Sequence, residues 1–95
     1  MQYLALIHDQ GDTTSTNEEW ERFIQIANDS GMFRGGSALG ARQIIGPQLM
    51  MQTADSVGGF MIFEAKDLES LLALLEQHPV IVHQGTIELC EMPET

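Results

Sequence analysis

The chain opens on a segment that is apolar at both parities. In residues 2–8, Gln-Tyr-Leu-Ala-Leu-Ile-His, Tyr3, Ala5 and Ile7 fall on one face of an extended strand and Leu4 and Leu6 on the other. A strand with this pattern needs cover on both sides. Residues 9–15 are rich in Gly, Asp, Thr and Ser and read as a turn. The hydrophobic period then changes. Trp20, Phe23, Ile24 and Ala27 recur at helical spacing. Thr16-Asn17-Glu18-Glu19 just before them matches a capping box, and Gly31 stands where a helix stops. The spacing predicts a helix over 17–30.

Residues 33–39 read as a bent strand, because Gly35-Gly36 allows a bulge or a close approach of backbones. Two short apolar runs, 42–45 and 48–53, flank Gly46-Pro47 and predict a small β-hairpin. Gly58-Gly59 opens the next strand, Phe60 to Ala65, again apolar at both parities. Asp67 then caps a second helix whose stripe is expected to be Leu68, Leu71, Leu72 and Leu75. His78-Pro79 ends that helix, since proline disfavours helical geometry in the residue before it. Residues 86–92 form the last strand, and Pro93 onward reads as a tail.

The order strand, helix, strand, hairpin, strand, helix, strand is the βαββαβ pattern of a ferredoxin-like α+β fold: an antiparallel sheet with two helices on one face. The chain of 95 residues is expected to be a single domain. Two helices cover only one face of such a sheet, yet the first and third core strands offer apolar side chains to both. Leaving the second face wet forfeits several kcal/mol at roughly 25 cal/mol per Å². A second copy packed sheet to sheet is the simplest cover, so a homodimer is expected.

Composition narrows the partners. The net charge is −10, from fourteen acids against Arg22, Arg34, Arg42 and Lys66, which do not cluster. Nucleic acids and anionic membrane surfaces bind basic patches, so neither is expected as a partner. No apolar run approaches the ~20 residues of a membrane helix, and the N-terminus lacks the basic region of a signal peptide. Cys90 is the only cysteine, so no internal disulfide forms, which fits a reducing cytoplasm.

At this point the chain resembles the YCII-related family, also called the DGPF-domain family. The resemblance rests on Met1 to Ile7, on Ser30-Gly31-Met32-Phe33-Arg34-Gly35-Gly36-Ser37-Ala38-Leu39, on Gly58-Gly59-Phe60 through Asp67-Leu68, and on His83-Gln84-Gly85-Thr86-Ile87-Glu88-Leu89. It implies a dimeric α/β barrel. It also implies small-molecule chemistry, which in some members or relatives is thought to use a histidine and an aspartate. The Asp-Gly-Pro-Phe loop of the subfamily is absent; Ile45-Gly46-Pro47-Gln48 is either its remnant, with isoleucine where the acid should be, or unrelated turn chemistry. Cys90 occupies a position where relatives often carry arginine.

Three histidines are the candidates for chemistry. His83, before the last strand, best matches a family histidine, and its near-neutral titration suits proton transfer. His8, at the end of the first strand, is the second catalytic candidate. Asp9, Asp55 and Glu88 are the candidate acids to orient His83. His78 reads as a helix C-cap. The histidines lack metal-ligand spacing and Cys90 has no cysteine partner, so no metal is expected. Gly35-Gly36 and Gly58-Gly59 open no helix, and no cofactor is expected either. Cys90 reads as a structural thiol, and Met50, Met51 and Met61 as core or pocket lining. The expectation is therefore a small-molecule-binding homodimer that carries out isomerisation or elimination on an apolar or aromatic metabolite. The alternative is a non-catalytic binding or accessory module.

Overall fold

In the computed structural model, residues 1–8, 15–47 and 56–94 are described. The elements follow the order β1 (Gln2–His8), α1 (Asn17–Ser30), β2 (Phe33–Ala38), β3 (Val57–Glu64), α2 (Leu68–Leu75), α3 (Pro79–Val82) and β4 (Thr86–Met92). The four strands form one antiparallel sheet in the order β2-β3-β1-β4. The two most apolar strands, β1 and β3, lie at its centre. This is the ferredoxin-like α+β arrangement that the sequence predicts.

Local chemistry sets the element ends. Thr16 Oγ1 accepts from the Glu19 backbone N–H at 3.2 Å, and Glu19 Oε1 accepts from the Thr16 N–H at 3.2 Å, which completes the capping box. Gly31 closes α1 in the left-handed region at φ 76°, where a Cβ is unfavourable. Gly35 carries the expected bulge: the β2–β3 register shifts between Phe33 and Gly35, and Gly35 has φ 129°. Asp67 caps α2 through the Ser70 N–H at 2.8 Å, and that bond holds the Asp67 carboxyl below the usual carboxylate range.

Tyr3, Ala5 and Ile7 of β1, with Met61 and Phe63 of β3, pack against Phe23 and Ala27 of α1 and Leu71, Leu74 and Leu75 of α2. Alternation turns Leu4, Leu6, Phe60, Ile62, Cys90 and Met92 to the opposite face, where each is half-buried.

Three expectations need correction. Residues 42–45 form no strand; they run exposed and irregular between Gly40 and Gly46-Pro47, and the Arg42 guanidinium donates to the Val57 carbonyl. The other arm, 48–53, lies outside the described residues. Leu68 and Leu72 point outward at 44% and 46% exposure, so the buried stripe of α2 runs through Leu71, Leu74 and Leu75. The helix packs about one position further round than a stripe drawn through Leu68 and Leu72. Finally, Pro79 does not only stop α2. It starts a further short helix, α3, as its first residue, where the missing N–H costs nothing.

His78 changes role accordingly. Its backbone N–H still closes α2 on the Leu75 carbonyl at 3.0 Å. Its side chain faces forward instead: Nδ1 accepts from the Val80 N–H at 3.1 Å and caps α3. The residue is fully buried, with ring centroids 4.7 Å from Trp20 and 4.6 Å from Phe23.

Candidate functional site

A cavity of about 380 Å³ opens between α1 and the end of the sheet formed by β2 and the start of β3. Its cause is legible in the strands. At this end the helix-facing positions are Gly36, Ala38 and Gly59, with Gly36 opposite Met61 and Ala38 opposite Gly59. These positions bring almost no side chain to fill the layer beneath α1. A Cβ on Gly36 would collide with the Phe60 carbonyl oxygen, so close approach of β2 to β3 requires glycine there. The walls are Trp20 and Ile24 from α1, Phe33 and Met61 from the sheet, and Val80 from α3.

Polar groups in this lining are few. Ser15 contributes a hydroxyl, whereas Ser37, which pairs with Phe60 and so has the opposite parity to Gly36 and Ala38, donates its hydroxyl to the Ala38 carbonyl at 2.7 Å. The Trp20 indole Nε1–H donates to Ser15 Oγ at 3.2 Å, which fixes the ring at the mouth. Among the described residues no titratable side chain lines the cavity. An apolar enclosure with a few fixed polar groups is the usual form of a small-molecule site.

None of the three histidines is among the described residues that line this cavity. His83 lies, as expected, in the connection before the last strand, where it is the C-cap of α3. Its Nε2 lies 2.8 Å from Glu19 Oε2, and the two side chains are 30% and 31% exposed. The hydrogen bond from His83 is the main reason that the Glu19 carboxyl is held below the usual carboxylate range. The acid beside His83 is thus Glu19. Sequence reasoning assigned that residue to the helix cap, and one carboxylate does both. Glu88 sits beside His8 instead, and Asp9 and Asp55 lie outside the described residues. The pair joins α1 to α3 next to two cavity walls, since Trp20 follows Glu19 and Val80 lies on α3.

His8 faces the other side of the sheet from its neighbour Ile7, which lines the cavity. Its Nδ1 is 2.8 Å from Ser56 Oγ and its Nε2 3.0 Å from Glu88 Oε1. His83 and His8 therefore do not share a site. Sequence reasoning missed Ser56 and the cavity itself; the signal for the cavity was a run of small residues at helix-facing positions of two adjacent strands. Cys90 is half-buried on the outer face opposite Leu4. Among the described residues no three His, Cys, Asp or Glu side chains gather as a metal site. No described helix is long and apolar enough to cross a membrane.

Fold and site together define a ferredoxin-like α+β protein with an apolar cavity beneath its first helix. No family model matches the chain, and no curated protein matches it. Among solved structures it is similar to 5-chloro-2-hydroxyhydroquinone dehydrochlorinase from Burkholderia phenoliruptrix in complex with 2,5-dihydroxybenzoquinone. The similarity has a TM-score of 0.65 at 17% identity and covers 100% of this chain and 96% of that one. At that identity the likeness is one of fold.

Proposed function

We propose that the protein binds a small apolar or aromatic molecule in the cavity beneath α1. The observation that carries this reading is the cavity: about 380 Å³, walled by Trp20, Ile24, Phe33 and Met61, and among the described residues largely apolar, with the Ser15 hydroxyl and the Trp20 indole N–H as polar handles. Burying an aromatic ring there removes apolar surface from water on both sides of the contact, at roughly 25 cal/mol per Å². The similar fold that holds a hydroxyquinone supports the same size of ligand.

The finer reading assigns the protein to the YCII-related family and gives it proton-transfer chemistry, isomerisation or elimination, at His83. Support comes from Glu19: a carboxylate at 2.8 Å orients the imidazole and stabilises its charged form. His8, on the opposite face, would serve a ligand only from that side. The absence of titratable groups from the described cavity lining favours the second reading, a binding module without turnover.

The functional unit in this reading is a homodimer. The face bearing Leu4, Leu6, Phe60, Ile62, Cys90 and Met92 has no described helix upon it, and a second copy is self-complementary cover for an apolar sheet. Light scattering should give twice the chain mass at micromolar concentration; a stable monomer contradicts the dimer.

Native mass spectrometry against a panel of hydroxylated aromatics, including 2,5-dihydroxybenzoquinone, tests binding. One ligand per chain is expected, with loss in Ala38→Phe, which narrows the cavity. No adduct across the panel contradicts the binding reading. A ligand consumed by the parent and only bound by His83→Ala supports turnover at His83. Equal behaviour of the two leaves the module reading.

A further inference from the structure

We propose that Ser56, His8 and Glu88 form a second site, a nucleophile relay for acyl transfer from small esters with an apolar acyl or alcohol part. It stands on the opposite face of the sheet from the cavity, and neither the proposed ligand nor His83 takes part in it.

The three residues are far apart in sequence and meet through the sheet. His8 ends β1, Ser56 immediately precedes β3, and Glu88 lies on β4. Glu88 opposes Leu6 while His8 opposes Thr86, so Glu88 and His8 are diagonal neighbours on one face. The β1–β3 register shifts between Ile7 and His8, and such an irregularity turns a side chain away from its regular direction. The imidazole thereby meets a partner on each side: Ser56 Oγ at 2.8 Å from Nδ1 and Glu88 Oε1 at 3.0 Å from Nε2.

Proton assignment follows from the acceptor. An ionised carboxylate only accepts, so Nε2 carries the ring proton of neutral His8 and donates it to Glu88. Nδ1 is then bare, and the Ser56 hydroxyl donates to it. The serine proton already points at the base that would remove it. A nucleophile, a base and an orienting acid in hydrogen-bond contact are the parts of a serine relay, here with the two ring nitrogens exchanged relative to the commoner arrangement.

Ser56 Oγ bonds to the ester carbonyl carbon as its proton passes to Nδ1. Collapse of the tetrahedral species breaks the bond to the alcohol oxygen, which takes the proton from Nδ1 and leaves. A water molecule then attacks the acyl-serine, gives its proton to Nδ1, and releases the acid as Ser56 recovers that proton. Nothing is oxidised or reduced. Glu88 stays ionised throughout and stabilises the imidazolium.

Substrate class follows from the surroundings. His8 has a 20% exposed side chain, so it is reachable yet partly shielded. On the same face Leu6 and Phe60 oppose one another and offer an apolar shelf. The trio stands at the strand end, at the border of that face. Leu6 and Phe60 belong to the same face that the proposed second copy would cover, so the trio, at the strand end, stands at the rim of that contact.

The test uses the full chain, a fluorophosphonate probe and p-nitrophenyl butyrate. Peptide mass spectrometry should find the probe on Ser56. Ser56→Ala should lose both label and ester turnover, and His8→Asn should slow both by roughly a hundredfold, the usual size of a lost general base. Glu88→Gln changes an exposed side chain and keeps the strand, so it serves as the second variant should His8→Asn fail to fold; a clear slowing is expected, since neutralising the orienting carboxylate of a serine relay costs up to about 10⁴-fold. Label distributed over other serines, or an unchanged labelling rate in Glu88→Gln, overturns the relay. Ser56→Ala should leave ligand binding in the cavity intact, which separates the two sites.

Discussion

Glu19 accepts hydrogen bonds from two directions, from the Thr16 backbone N–H at 3.2 Å through Oε1 and from His83 Nε2 at 2.8 Å through Oε2. The same carboxylate starts the first helix and ties it to the last helical turn before β4. Its charge is favoured first by the His83 bond; desolvation opposes it, and the Thr16 backbone bond, a smaller contribution than either, favours it again. Side-chain NMR should therefore find Glu19 titrating below the ordinary glutamate value of 4.5. In His83→Ala the titration should move up towards that value. An unchanged titration would mean that the His83 bond does not form in solution.

His78 makes stability depend on pH. Burial lowers its pKa from 6.5 to about 4, while in the unfolded chain it titrates near 6.5. Between these values the unfolded state binds more protons, so stability falls as pH drops from about 6.5 to about 4 and this contribution is constant below. A shift of this size implies a loss of roughly 2 kcal/mol between pH 7 and pH 5. Charging the ring adds a second cost. Among the described residues the Nε2–H of the neutral ring has no hydrogen-bond acceptor between Trp20 and Phe23, and the protonated ring would also lose the Val80 N–H. Denaturant titrations of the parent and His78→Asn at pH 7 and 5 check this. Asparagine keeps a capping oxygen and does not titrate, so the difference in slope should vanish in the variant.

The second helix offers a direct test of its rotation. Leu71 is fully buried and Leu72 is 46% exposed. Leu71→Ala should cost about 2–5 kcal/mol, as large-to-small changes in cores do. Leu72→Ala should stay within roughly 0.5 kcal/mol. Equal losses in thermal melts of the two variants would place the helix in another phase.

How far the sequence leads depends on what each feature rests upon. The strands β1 and β3, the capping box at Thr16 and Glu19, and the stop at Gly31 are local patterns, and each was legible. The phase of α2 was not, because Leu68, Leu71, Leu72, Leu74 and Leu75 make the helix apolar nearly all round and only packing selects a face. The short helix α3 was hidden because proline both ends one helix and begins another. The partner of His83 was hidden too: 64 positions separate it from Glu19, and Glu19 already had a local role to explain it. The cavity results from side chains that are missing, at Gly36, Ala38 and Gly59, and a motif search looks for side chains that are present.

Gly36 shows the constraint that keeps the cavity's floor in place. Gly36→Ala would press a Cβ onto the Phe60 carbonyl oxygen and the Met61 backbone. The edge strand must then move, at a cost of about 1–3 kcal/mol typical of overpacking. Hydrogen exchange should show β2 amides opening faster in the variant while those of β1 keep their protection. Identical protection across β2 would mean that the strands lie further apart than described.

Trp20 gives the most direct measurement of the central claim. It is the chain's only tryptophan and it forms a wall of the cavity. Its emission therefore reports on the site without interference from any other indole. Titration with a small hydroxylated aromatic should give a saturable change in Trp20 fluorescence at one ligand per chain, absent in Ala38→Phe. A bound ligand that leaves Trp20 emission unchanged, or an equal response in Ala38→Phe, would contradict binding beneath the first helix.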